Sequence, residues 1–166
     1  PVNKIMRQML YGDNVGLLSC KQQSTFDFQH IFITKNISER CAVSLQTRET
    51  TSHFPLYLYP ENNAQQTLDG NQQRTPNLNK EIVNKIAQAI GLTFIPEPSV
   101  PASLSFKRRG TEGEVDLKGE VAFAPIDLLD YIYAILHSPT YREKYKEFLK
   151  IDFPRVPYPK DKKTFW

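Results

Sequence analysis

The sequence is poor in the residues that staple a fold or cross a membrane. It holds two cysteines in 166 residues, Cys20 and Cys41, so no disulfide framework is available. Each thiol sits beside apolar residues and reads as a buried, reduced cysteine. The soft metal donors are these two thiols and His30, His53 and His137, widely separated along the chain. Structural zinc draws its four ligands from local pairs, so no metal site is expected. The longest apolar stretches, Leu56 to Tyr59 and Ile132 to Leu136, fall far short of the roughly 18 residues that a membrane span needs. Charge of one sign is scarce too. Twenty-one Lys+Arg against 18 Asp+Glu leave +3, which is compatible with a nucleic-acid partner without requiring one. Seven glycines against twelve prolines suggest stiff connections. The chain opens Pro1-Val2-Asn3-Lys4 with neither Met nor a basic-then-apolar leader. It reads as a soluble cytoplasmic piece, without a membrane partner, cut from something larger.

Catalytic signatures are missing as well. Neither GxxxxGK[ST] nor GxGxxG occurs, so no ATP or dinucleotide loop is recognisable. The Asn/Asp-Pro-Pro-Tyr/Phe motif of amino-group methyltransferases is absent, and so is the G-x-S-x-G elbow of hydrolases. Asp116-Leu117-Lys118 matches half of a metal-dependent nuclease motif, with Glu112, Glu114 and Glu120 near enough to bind Mg²⁺. The upstream Pro-Asp partner is lacking, and Asp161-Lys162-Lys163 is a second match of the same kind. A solvated, salt-bridged hairpin is the better reading, with a Mg²⁺ nuclease domain as the enzymatic alternative.

What is present is mostly β in the first half. Val15 to Cys20 is a short apolar run after the turn-like Gly12-Asp13-Asn14. Phe28 to Thr34 alternates, with apolar residues on both faces, which suits a central strand. Cys41 to Leu45 is a third candidate strand. Phe54 to Tyr59 is a fourth, and its Pro55 points to an edge or a strand start. Residues 60 to 77 read as a polar loop. Asn79 then caps a helix whose Ile82, Ile86 and Ile90 recur every four residues, closed by Gly91. An extended connector with Pro96, Pro98 and Pro101 leads to strands at Ser103 to Phe106 and Glu120 to Phe123. The last third is helical. Pro125 opens one helix with a stripe of Ile126, Leu129, Ile132, Tyr133 and Leu136, and Ser138-Pro139 caps the next. At the join, His137 suits an imidazolium at the negative dipole end. These elements predict an α+β fold: a twisted mixed or antiparallel sheet packed against C-terminal helices, in one domain over residues 1–166.

Four polar segments have the chemistry of a DNA interface. They are Lys21-Gln22-Gln23-Ser24-Thr25, then Gln46 to His53 with Arg48, Thr50, Thr51 and His53, then Asn71 to Arg74, and Lys107-Arg108-Arg109. Amide side chains pair two-pronged with adenine and Arg with guanine, while Ser, Thr and Lys hold phosphates. By composition alone, solvated loops are the better reading.

A family resemblance favours the first reading. Asn14-Val15-Gly16-Leu17 into Lys21-Gln22, His30 to Ile33, Phe54 to Glu61 and Arg74 to Asn79 follow in order. The most specific stretch is Asp130 to Tyr145, continuing through Leu149 to Pro157. The chain resembles the C-terminal specificity region of type ISP-like restriction–modification enzymes and related N6-adenine DNA methyltransferases. The resemblance implies a target-recognition domain of a bacterial defence system. It implies duplex DNA as partner and a methyltransferase domain of the same parent chain beside it. S-adenosylmethionine and catalysis would belong to that domain; no cofactor and no catalytic residue is expected in this one. The segment from Pro96 to Glu120 carries no part of the resemblance. A module that docks on the methyltransferase is the remaining alternative.

Overall fold

Gly16-Leu17-Leu18-Ser19-Cys20 becomes the central strand of the first sheet. The computed structural model describes residues 2–11, 13–22, 27–43, 49–60, 74–96, 114–115 and 121–166. They fall into two compact units, Pro1–Asn77 with Leu136–Pro154, and Leu78–Ile135 with Arg155–Trp166. Mixed helices and sheets make the chain α+β, as expected.

The first unit begins with helix α1 (Val2–Arg7), which the sequence reading did not anticipate. Strands β1 (Gly16–Cys20), β2 (Ile31–Thr34) and β3 (Thr51–Pro55) form an antiparallel sheet in the order β2-β1-β3. Strand β2 is therefore an edge among the described residues, not the central strand expected from its two apolar faces. Ile31 is fully buried, but Phe32 and Ile33 stay 45% and 39% exposed, so only the strand's start joins the core. Pro55 ends an edge strand, where its missing N–H costs no ladder bond. The chain breaks at Leu56, whose N–H donates to Val15 O at 2.7 Å, and the expected long strand resumes as β4 (Tyr57–Leu58). Strand β5 (Thr75–Pro76) pairs with β4.

The expected strand at Cys41 is also corrected. Residues 40–43 turn, with Ala42 N–H donating to Glu39 O, and Val43 packs beside Leu18 and Cys20. Thr51 Oγ1 takes the Val43 N–H at 3.1 Å, which replaces a strand partner. Residues 44 and 45 lie outside the described residues.

Asn14 fastens three of these pieces. It is 2% exposed. Its Nδ2 donates to Gln8 O and to Tyr57 O, both at 2.9 Å. Its Oδ1 accepts from Val15 N at 2.9 Å and Tyr57 N at 3.1 Å. All four hydrogen-bonding positions of the carboxamide are thus filled. Gln8 adds a parallel tie, its Oε1 accepting from Tyr59 N at 2.6 Å.

In the second unit α2 (Lys80–Ile90) starts and stops as its sequence demands. Asn79 Oδ1 accepts from Glu81 N and Ile82 N at 2.9 and 3.2 Å, and Gly91 takes the left-handed conformation at φ 67°. Ile86 and Ile90 are buried as the spacing predicts, with Val83 beside them, and Ile82 and Ala87 pack half-buried against the same core. Strands β6 (Thr93–Phe94), β7 (Glu114–Val115) and β8 (Val121–Phe123) form a mixed sheet, β6 parallel and β7 antiparallel to β8. Phe94 falls within the segment 94–101 expected as an extended connector, which therefore opens as a strand. The expected strand at residues 103–106 falls outside the described residues.

Helix α3 (Pro125–His137) opens without a Ser or Thr cap. Asp127 Oδ2 instead accepts from Ala124 N at 2.7 Å, the returning half of a capping box. Phe123 is fully buried, with Phe94 and Phe165 rings 5.2 and 5.4 Å away. Leu128 and Tyr131 of α3 complete this core with α2. Short helices α4 (Pro139–Lys144), α5 (Lys146–Leu149) and α6 (Lys162–Phe165) follow.

Removing the Asn14 carboxamide takes away its hydrogen bonds to the Tyr57 N–H and C=O in a buried site. Asn14→Ala is expected to lower the unfolding free energy by about 2–3 kcal/mol, since unsatisfied buried polar groups cost about 1–3 kcal/mol each. Urea titration checks it; a loss below about 0.5 kcal/mol would remove Asn14 from this role.

Candidate nucleic-acid interface

Antiparallel pairing decides which expected DNA-contact residues meet. Cys20 and Thr51 form the last pair between β1 and β3, so Lys21 leaves β1 beside Thr50 entering β3. Lys21, Gln22 and Thr50 are all exposed there. Arg40, in a stretch without a motif, joins them. Its carbonyl accepts from Thr51 N at 2.7 Å, and its Nε donates to Thr50 Oγ1 at 3.4 Å. The exposed side chain of Arg40 is thereby set at the same sheet end. The cue in the sequence was weak: one arginine within a polar stretch, without a motif. One edge of the first unit thus presents two cations, one amide and one hydroxyl. That set can bind phosphate through Lys21, Arg40 and Thr50, and a base edge through Gln22 or Arg40.

Other expected contacts sit elsewhere. Thr51 has its hydroxyl committed to Val43 N. Arg74 adjoins β5, toward the Gly16 end of β1; the strand's five residues alone span about 13 Å at ~3.3 Å per residue. Its guanidinium lies 3.9 Å from the Tyr57 ring centroid, and Nη1 donates to Asp13 O at 3.0 Å. Arg74 therefore clamps residues 13 and 57 together, a cation–π contact reinforced by a hydrogen bond. Gln23, Ser24, Thr25, Arg48, Lys107, Arg108 and Arg109 lie outside the described residues. So do Glu112, Asp116, Lys118 and Glu120 of the nuclease-like motif.

His53 belongs to strand β3 and not to the polar loop expected from the sequence. It is 6% exposed, opposite Leu18 in the sheet. Its Nδ1 hydrogen-bonds Ser38 Oγ at 2.9 Å. Its Nε2 has no hydrogen-bond partner among the described residues and faces Gly16, where any Cβ would collide with the ring. Gly16 is thus needed for space and not for its backbone conformation. Burial holds the imidazole below its ordinary pKa of 6.5. The ring packs within the sheet.

The Cys20 thiol is buried and pushed above its usual value, first by desolvation and then by the charge of Glu49. It stays a protonated core residue. Cys41 is free and half-buried.

The helix after Ser138 serves as scaffold. Ser138 caps it, and Tyr141 is buried against Tyr145 with ring centroids 4.9 Å apart. Arg142 Nε donates to Leu136 O at 2.7 Å, and its guanidinium donates to His137 Nδ1 at 3.1 Å. His137 Nε2 then donates to Ile31 O at 3.3 Å. A cleft of about 150 Å³ beside Arg142 is lined by Asp27, Phe28 and Lys146 among others, and Lys146 pairs with Asp27 at 3.5 Å. Among the described residues no helix is long and apolar enough to cross a membrane, and no group of three His, Cys, Asp or Glu could hold a metal ion.

The class follows from the comparison with known families: this is a specificity domain of a restriction–modification enzyme. The chain belongs to the family described as the type ISP C-terminal specificity domain, whose model matches residues 1–166. No curated protein and no solved structure matches it.

The depressed His53 fixes the sign of a pH effect. Below 6.5 the unfolded chain takes up a proton that the folded ring resists, so folding stability declines as pH falls through that value. Urea midpoints at neutral and mildly acid pH are expected to show the decline, and His53→Gln to reduce it. An equal decline in both proteins would place its origin elsewhere.

Proposed function

We propose that this specificity domain reads the target sequence in duplex DNA for an N6-adenine methyltransferase of a restriction–modification system. The full-length family match is the observation that carries this reading. The exposed sheet end with Lys21, Gln22, Arg40 and Thr50 supports it with suitable chemistry. Lys21 and Arg40 hold backbone phosphates, while Gln22, free at the strand exit, offers a donor–acceptor pair to an adenine edge. Gln23, Ser24, Thr25, Arg48, Lys107, Arg108 and Arg109, which lie outside the described residues, remain part of the proposed contact.

Chemistry is assigned to a partner domain of the same parent chain. That domain binds S-adenosylmethionine and, with this one gripping the flanking duplex, takes the adenine out of the stack. The specificity domain contributes position and sequence choice, and neither a metal nor a catalytic side chain.

Phosphate contacts release counterions, so affinity is expected to fall steeply with salt. Lys21→Ala with Arg40→Ala should flatten the log–log salt slope by about 1.8, from roughly 0.9 per phosphate contact. Gln22→Ala should narrow the gap between target and altered-site duplex while leaving the slope in place. Fluorescence anisotropy on the intact protein measures both. Binding with unaltered slope in the double variant would remove this sheet end from the interface.

A further inference from the structure

The net charge of the chain is confined to its last twelve residues. Residues 155–166 hold four Lys or Arg against one Asp, and the other 154 residues hold 17 of each sign. This basic segment is also well anchored in the second unit. Val156 packs on the core. Pro157 O accepts from the Tyr131 hydroxyl at 2.9 Å, and Pro159 is fully buried. Phe165 is 5% exposed, its ring against Phe123 and Tyr131. Asp161 Oδ1 accepts from Thr164 N at 2.7 Å and Thr164 Oγ1 at 2.9 Å, which caps α6. Those bonds, the backbone one foremost, hold the Asp161 carboxyl below its ordinary value, so it stays ionised and turned to its own helix.

With Val156, Pro159 and Phe165 turned inward and the one carboxylate engaged by its own helix, the lysines are left outside. Lys160, Lys162 and Lys163 are all exposed, and among the described residues none of them is in an ion pair. Tyr158 stands 54% exposed at the same turn, with a hydroxyl that can donate to an anion. A fastened turn presenting three cations costs little ordering entropy when an extended polyanion arrives. A protein-docking patch would be built differently, since lysine is depleted and apolar side chains are enriched at the centre of such interfaces.

We infer that the turn Tyr158–Lys163 is a second contact surface, which grips the sugar–phosphate backbone of duplex DNA irrespective of sequence. The inference rests on the DNA-reading function proposed above and adds a surface in the other unit. Lys160, Lys162 and Lys163 act as point charges on phosphates, and Tyr158 adds a hydroxyl donor. The turn supplies affinity and register; it does not choose bases.

The test is anisotropy on the intact protein with target and scrambled duplexes between about 50 and 200 mM salt. The triple variant Lys160→Gln, Lys162→Gln, Lys163→Gln should lose about 2–3 from the salt slope, at roughly 0.9 per contact. Both duplexes should weaken by the same factor, and the thermal midpoint should not move. Arginine at the same three positions should restore the slope. Lys80→Gln with Lys85→Gln, on α2, should leave it unchanged. If the wild type binds duplex and the triple variant keeps its slope, the turn is not a contact, though the DNA reading stands. If the triple variant weakens the target alone, the turn reads bases and the inference is wrong. If the wild type binds no duplex at low salt, both readings fall.

Discussion

The buried carboxamide of Asn14 is the constraint on which the first unit depends. It joins the end of α1 and the entry to β1 to strand β4, where Tyr57 lies 43 residues from Asn14 in sequence. A buried amide is tolerable only when its donors and acceptors are all met, and here they are. The bond to Tyr57 holds the chain just beyond β3, and Arg74 stacks on that tyrosine's ring. Leu56 closes the same corner by bonding Val15. With that corner set, β1 and β3 run in register to Cys20 and Thr51, and Lys21 and Thr50 come out together.

The second unit rests on aromatic packing. Phe123 ends β8 at the centre of the core, and the C-terminal segment returns to place Phe165 against it. The Tyr131 hydroxyl bonds to the passing chain at Pro157 O, and its burial raises the phenol above its ordinary value. Apolar side chains turned inward leave the charged ones outward, which is why a twelve-residue segment can be core and basic surface at once. Each unit therefore joins a packed framework to a small polar edge.

How much of this could be read from sequence depended on whether local chemistry or long-range pairing decides a position. Helix α2 was legible because Asn79, Gly91 and the isoleucine spacing each specify a local geometry. Pro125 and Ser138-Pro139 marked the later helices for the same reason. His53 was misplaced because strand β3 begins at Thr51, in a polar stretch whose β-branched residue is its one cue. Its burial is set by the partner strand, where Gly16 leaves room for the ring. Asn14 reads locally as a turn residue; its role comes from Tyr57, far away in the chain. The break at Leu56 and the edge position of β2 are likewise pairing outcomes that no local pattern encodes. Arg40 was missed since only the bond to Thr51 brings it to Lys21. The family, by contrast, was legible from the ordered segments ending at Pro157.

A specificity domain need not be strongly basic overall if its cations are concentrated where DNA runs. Here the charge outside residues 155–166 balances to zero, yet Lys21 and Arg40 stand together at one sheet end and three lysines on one fastened turn. On the proposed reading attraction is local, and sequence choice falls to the few amide and guanidinium groups beside the phosphate-holding cations. The most direct measurement is selection of bound duplexes by the intact protein from a randomised pool, followed by sequencing. Enrichment of one defined site is the predicted result. Recovery of the pool without a preferred sequence would contradict the account.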